Sequence, residues 1–335
     1  NADGPAGFIY GAPGGTYSSW CSETVLASTW NRELSYKKGK LMGNQALWGN
    51  GNPNSKISGW YAPACDIHRS PFSGRNFEYY SEDGVLSGVL TAEVVKGAQD
   101  KGLFTYVKHF GLNDQESNRC GLMTWANEQS MREIYFKPFE LAVKLGDTHG
   151  IMSGLNRIGT VWAGGSYELL TGLLRDEWGF EGCVVTDSFS TDWSNADQMI
   201  RAGGNLSLGY ASLGYNEESA TTYTALRKAA HGILYAHANS NAINTGEHPV
   251  APSGISSFET KTLKTGVVNA VYNENIATGV VNKVLFPEAQ DNEITYALSE
   301  GNSLPKGMVL TAEGKLTGTP TEEVNNFTFS VTASF

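Results

Sequence analysis

The chain has 335 residues with a formal charge of −10, and only 17% of them are charged. No dense Lys/Arg stripe and no run of about eighteen apolar residues occurs. That argues against nucleic acid or an anionic membrane as a partner and leaves no candidate membrane span.

The length suggests two domains, or one large domain with an appendage. The first five residues, Asn1-Ala2-Asp3-Gly4-Pro5, read as a loop with neither an initiator Met nor a signal peptide. The chain opens as if inside a longer one, so localisation is not legible from this end. Beyond it, short apolar runs that end in polar residues alternate with amphipathic stretches. Helices are predicted over 24–47, 86–101, 127–145, 165–178 and 219–238, and strands over 60–64, 104–109, 149–153 and 183–187. In the third helix Met131, Ile134, Tyr135, Phe139, Leu141 and Leu145 recur roughly on one face.

Strand and helix alternating at this spacing indicate a parallel α/β fold. A dinucleotide-binding sheet would carry G-x-G-x-x-G after an early strand, and none stands in that setting. The strand ends instead carry Lys108-His109, Ser153 followed by Asn156-Arg157, and Asp187. Polar groups on several strand ends fit a (β/α) TIM-like barrel, which gathers its active site there. In "GFEGCVVTDSFS", 179–190, a strand buried on both sides ends in an acid, which is costly unless something compensates. Locally Asp187 reads equally as a helix cap or a functional carboxylate. The four cysteines, Cys21, Cys65, Cys120 and Cys183, are widely spaced and lack C-x-x-C. Free buried thiols are the preferred reading, one disulfide stays open, and no metal or cofactor is expected.

The texture changes after residue 240. "ANSNAINTGEHPVAPSGISS" is a Pro/Gly/Ser/Asn linker, and alternating segments such as "GVVNAVY", "EITYAL" and "FTFSVTASF" follow with turn signals between them. The predicted division is a barrel over 1–245, a linker over 246–261 and a small β-sandwich over 262–335. "LPKGMVLTAEGKLTGTPTEEVNNFTFSVTAS" resembles the Ig-like modules of bacterial surface and secreted proteins, which favours a secreted or surface setting.

The densest stretch is "DIHRSPFSGRNFEYYSEDGVLSG", Asp66 to Gly88, a non-periodic loop of cations, acids and aromatics. With "ADGPAG" at 2–7, "LASTWN" at 26–31, "VKHFGLNDQESNR" at 107–119, "MREIYFKPFE" at 131–140 and "GFEGCVVTDS" at 179–188, it resembles family 3 glycoside hydrolases. The resemblance runs from residue 2 to about 240 and implies a retaining β-glucosidase barrel whose nucleophile is Asp187. It implies sugar-binding roles for Asp3, Arg75, Lys108 and His109, with Met152 taken as a further substrate-binding position. A pyranose presents a fan of hydroxyls that such donors can fix. The Asp of "DGP" favours glucose over xylose. Nearby cations or hydrogen bonds should keep the Asp187 pKa low.

Bland readings stand beside these. Arg75 and Glu78 form a structural ion pair in one of them, and His109 is a satisfied core histidine in another; within the motifs, sugar contact is favoured for both. Glu78, Glu82 and Asp83 are read as bracing the loop, Asn156 and Arg157 stay undecided, and Trp162 and Trp193 are either stacking platforms or core. The chain also departs from the family pattern. Ser188 follows the nucleophile where many members have Trp, and Leu155 stands where many have Tyr. No Glu matches the acid/base motif, and "FGLNDQ" after Lys108-His109 excludes the subset that uses an Asp-His pair. The resemblance therefore implies a reversed domain order, with the first barrel strand missing and the acid/base on a companion chain or fragment carrying an α/β domain. The alternatives are a non-catalytic carbohydrate-binding barrel, a β-glucoside phosphorylase or a β-xylosidase.

Overall fold

The computed structural model describes residues 1–12, 17–48, 56–188, 194–209, 219–243, 255–258, 263–276, 280–283 and 295–334. The chain divides into two compact units, Asn1–Pro249 and Val250–Phe335.

In the first unit a short strand, β1 (Ala2–Asp3), precedes helices α1 (Glu23–Ala27) and α2 (Arg32–Trp48). The single helix expected over 24–47 is thus two, with Trp30 at a positive φ of 53° between them. A side chain rarely adopts that backbone, and the chain turns there. Strand β2 (Gly59–Tyr61) is followed by the long loop and by α3 (Gly84–Gln99), whose N-terminus is capped by the Asp83 carboxylate accepting from Leu86 N at 2.7 Å. α2 and α3 approach closely because Gly97 has no side chain; a Cβ there would lie 2.1 Å from the Tyr36 carbonyl oxygen.

Strand β3 (Phe104–Phe110) leads to a small excursion containing β4 (Met123–Thr124). The helix expected over 127–145 is broken into α4 (Glu128–Ser130), a π-helical turn at Met131–Tyr135, and α5 (Lys137–Lys144), which starts with Pro138 in its first turn. Strand β5 (Gly150–Ser153), the hairpin β6 (Arg157–Ile158) and β7 (Val161–Trp162), a wide helix at Glu168–Glu177, and β8 (Cys183–Thr186) come next. Helices α6 (Ala196–Ala202) and α7 (Ala220–Ala238) complete the unit.

The main sheet has the order β1-β2-β3-β5-β8, every pair parallel, and a parallel bridge from Val185 to Leu206 extends it. The first two residues after Asn1 occupy its edge. Strand alternation sorts the side chains into two layers. Val107, Ile151 and Val184 join the large cluster with Leu90, Val94 and Phe139 of the helices. Phe104, Tyr106, Met152, Cys183 and Val185 face the other way, packed with Ala236 and Ile233 of α7. Among the described residues the sheet does not close on itself.

The second unit is all-β. β9 (Ile255–Phe258) pairs antiparallel with β11 (Val280–Lys283), and β10 (Tyr272–Asn275), β14 (Lys315–Gly318) and β13 (Met308–Leu310) form an antiparallel sheet. β12 (Thr295–Leu298) pairs antiparallel with β15 (Val331–Ser334), and Tyr296 and Leu316 are buried. β9 lies inside the stretch read as a linker, 246–261. Its Pro/Gly/Ser-rich flanks mask four residues that find an antiparallel partner.

Candidate active site

The parallel sheet delivers its functional groups at one edge, the C-terminal ends of the strands, as barrels do. Asp187 directly follows β8, and its backbone N–H donates to the Ser153 carbonyl at 3.2 Å. Its side chain is 12% exposed. Oδ1 accepts from the Ser188 amide at 2.7 Å, and Oδ2 accepts from Arg119 Nη1 at 3.2 Å. His109 Nε2 stands 3.9 Å from the same Oδ2.

Neighbours on one strand normally face opposite sides, yet Lys108 and His109 both reach this edge. The ladder explains it. Val107 pairs with Ile151 and Phe110 with Ser153, so three steps on β3 match two on β5. The extra residue lets Val107 and Phe110 both stay in the helix-side core while the pair between them points to the site.

Charges then run in an alternating chain. Lys108 Nζ lies 2.9 Å from Asp3 Oδ1 and 3.0 Å from Glu78 Oε1. Arg75 grips Glu78 Oε2 through Nε at 2.8 Å and through Nη2, and its Nη1 is 3.4 Å from Glu116 Oε1. Glu116 Oε2 is 3.4 Å from Arg119 Nη1, which closes the chain on Asp187. Burial works against the Lys108 charge, but Glu78 and Asp3 outweigh it and the pKa rises. Glu78 is likewise opposed by burial and pulled below its ordinary value by Lys108 and Arg75.

Asp187 behaves differently. Burial pushes its carboxyl above the ordinary aspartate range, and Arg119, the Ser188 amide, Arg75 and Lys108 reduce that rise without cancelling it. The expected low pKa is thereby corrected. One guanidinium shared with Glu116 does not offset the loss of water around this carboxylate. His109 is held neutral, well below the ordinary histidine range, by burial and by Arg75, Lys108 and Arg119. Its backbone N–H donates to Asp66 Oδ2 at 2.8 Å, and Nδ1 is 3.2 Å from that oxygen.

Five of the six residues singled out from the sequence, Asp3, Arg75, Lys108, His109 and Asp187, are thus joined in one network. Met152 is not part of its polar contacts; it is buried in the apolar cluster with Phe104, Tyr106 and Val185, one layer of side chains below Asp187. Glu78, read as a loop brace, is instead the acid between Arg75 and Lys108. Asn156 Nδ2 donates to the Gly111 carbonyl and Arg157 Nη1 to the Cys120 carbonyl, so both brace the excursion after β3. Trp162 is buried with its Nε1 donating to the Gly154 carbonyl, and Leu155 is packed beside it with Met199 and Ile200. Trp193 and Phe189 lie outside the described residues. All four cysteines are free, with Cys65 and Cys183 buried, Cys120 half-buried and Cys21 exposed.

Sequence reasoning gave no role to Arg119, Glu116 or Asp66. The first two end the "VKHFGLNDQESNR" stretch three positions apart, the spacing of a side-chain pair on one turn, which was the available signal. Asp66 opens the dense loop stretch, but no pattern within that stretch set it apart from the loop's other acids.

The model of the family described as "Glycosyl hydrolase family 3 N terminal domain" matches residues 14–208, and that of the "Putative Ig domain" matches residues 251–335. Beta-glucosidase A of Butyrivibrio fibrisolvens is 40% identical over 217 residues, which cover 64% of this chain and 25% of that protein. The structure of beta-glucosidase 3B from Thermotoga neapolitana in complex with glucose matches with a TM-score of 0.65 at 34% identity. That match covers 74% of this chain and 36% of the other. The Bifidobacterium adolescentis GH3 beta-glucosidase gives 0.64 at 30% identity, covering 74% and 36%. The chain spans about a quarter of the length of the curated relatives it matches.

Proposed function

This chain belongs to glycoside hydrolase family 3, and from that premise we propose that it forms the sugar-binding, nucleophile-bearing part of a retaining β-glucosidase. The observation that carries the reading is Asp187, set at a strand end against Arg119 and His109 and joined by alternating charges to Asp3. Similarity to β-glucosidases, one of them in complex with glucose, supports the substrate class.

In this mechanism a carboxylate oxygen of Asp187 attacks the anomeric carbon of a terminal β-D-glucosyl residue. The bond from that carbon to the aglycone oxygen breaks, and the oxygen takes a proton from an acid. Water then attacks the glycosyl ester, passes a proton to the same group, and restores Asp187 with retained configuration. Arg75, Lys108, His109 and Asp3 hold the ring hydroxyls. Asp3 is aligned by Lys108 and exposed enough to meet a hydroxymethyl group, which favours glucose over xylose. No second carboxylate beside Asp187 is free for the acid role among the described residues, since Glu116 is engaged by Arg75 and Arg119. Because no Glu of the sequence matches the family's acid/base motif, this reading puts the acid/base outside this chain, on a companion chain or fragment carrying an α/β domain.

Incubation with 2-deoxy-2-fluoro-β-glucosyl fluoride tests the nucleophile independently of that acid, because fluoride leaves without help. One fluoroglucosyl adduct on the peptide bearing Asp187, absent in Asp187→Asn, is expected. An adduct elsewhere, or equal labelling of the variant, refutes the assignment.

A further inference from the structure

Asp66 stands in the loop after β2, fully enclosed, and its two oxygens have unlike surroundings. Oδ2 lies 2.8 Å from the His109 backbone nitrogen and 3.2 Å from Nδ1, while Oδ1 has no hydrogen-bond partner among the described residues. Among those residues His109 is the one basic group in ion-pair range of Asp66. An ionised carboxylate so placed leaves a bare charged oxygen in the interior, which is unfavourable.

Two arrangements relieve this: either His109 becomes a cation, or Asp66 takes up a proton. The first is opposed by the site itself. The imidazole is 1% exposed and faces Arg75, Lys108 and Arg119, with Tyr79 edge-on to its ring. A fourth positive charge there is disfavoured, and among the described residues the one carboxylate besides Asp66 in ion-pair range of His109 is Asp187, already bonded to Arg119. The second is favoured: burial, and then Asp114, push the Asp66 carboxyl well above its ordinary range, and Asp114 is itself raised to about 6 by burial.

The position of the proton follows from geometry. A proton on Oδ1 would meet no acceptor. On Oδ2 it can point at Nδ1, while a lone pair of the same oxygen still receives the His109 backbone N–H. A neutral imidazole that accepts at Nδ1 must carry its own hydrogen on Nε2. That nitrogen is the one facing Asp187, 3.9 Å from Oδ2.

We propose that Asp66 is a positioning residue for His109: as a carboxylic acid it donates from Oδ2 to Nδ1 and so fixes the ring hydrogen on Nε2, a donor aimed at the sugar hydroxyl beside the nucleophile. What Nε2–H meets rests on the glycosidase reading; the tautomer does not. The opposite tautomer would present a lone pair to the Asp187 carboxylate and repel it.

The test is nitrogen-15 NMR of the protein labelled at histidine, with the His109 signals assigned by their loss in His109→Gln. The expected result in the unliganded wild type is a protonated Nε2 and a bare Nδ1, unchanged between about pH 5 and 8. Asp66→Asn must keep an oxygen for the backbone N–H, and that oxygen cannot donate, so the hydrogen should move to Nδ1. Glucose affinity should fall about tenfold, the effect of one lost hydrogen bond. A wild-type ring with its hydrogen on Nδ1, a doubly protonated ring, or an Asn variant with the wild-type tautomer each overturns the proposal. A wild type with Nε2–H that binds no glucose supports the tautomer and refutes the sugar-site reading.

Discussion

Replacing Arg119 by Met removes the one guanidinium bonded to Asp187 and keeps most of the aliphatic stem. At 3.2 Å, a full charge pair in an effective dielectric of about 20 would be worth about 5 kcal/mol. Arg119 is a quarter exposed and shared with Glu116, so the net effect is closer to that of a charged hydrogen bond, about 1.5–3 kcal/mol. Among the groups that oppose burial at Asp187, Arg119 acts most strongly, so its loss raises the Asp187 pKa further. The sign is definite. Arg119 favours the carboxylate, and without it protonation sets in at higher pH, where Asp187 could not act as the proposed nucleophile. The assay is the second-order rate of labelling by 2-deoxy-2-fluoro-β-glucosyl fluoride against pH, for wild type and Arg119→Met. The acid limb should move to higher pH while the plateau at higher pH stays within a few-fold. An unmoved limb, or a uniform loss at every pH, refutes electrostatic control of Asp187 by Arg119.

Other outcomes follow from burial and close packing. Glu78→Gln strips Lys108 and Arg75 of a buried partner and should cost about 3–5 kcal/mol, a Tm lower by about 6–20 °C for the first unit in calorimetry. Glu23 is pushed by burial from 4.5 up to about 7, with Lys38 at 3.2 Å only partly opposing. The unfolded chain therefore loses this proton first, and stability should fall by about 3 kcal/mol as pH rises through that window; urea titrations of Glu23→Gln should lack that component. Gly97→Ala puts a methyl against backbone atoms of α2 and should cost at least about 1–3 kcal/mol, whereas Gly172→Ala, whose nearest neighbour would be 3.9 Å away, should be neutral or stabilising. Thermal melts of the two variants make the comparison.

Much of this was legible in the residues. Apolar runs ending in Lys108-His109, Ser153 and Asp187 located three strand ends to within one position, because a strand buried on both sides has a short, continuous apolar signature. Helix boundaries fared less well: the breaks at Trp30 and around Phe136 depend on one backbone torsion and on a π-helical turn, neither of which changes the apolar periodicity. The strand at Ile255–Phe258 was hidden for a related reason, since strand formation depends on an edge to pair with.

By itself the sequence determined the alternation of strand and helix and the family, and it singled out Asp3, Arg75, Lys108, His109 and Asp187 as candidate groups. Only the tertiary structure decided which charges meet. Arg119 reaches Asp187 across 68 residues and Lys108 reaches Asp3 across 105, and no periodicity encodes such closures. It also decided that Met152 packs in the interior and that a shifted register turns Lys108 and His109 to one edge. The sign of the Asp187 shift belongs to the same class. A pKa is the balance of burial against pairing, and neither side of that balance exists until the chain has folded around the carboxylate.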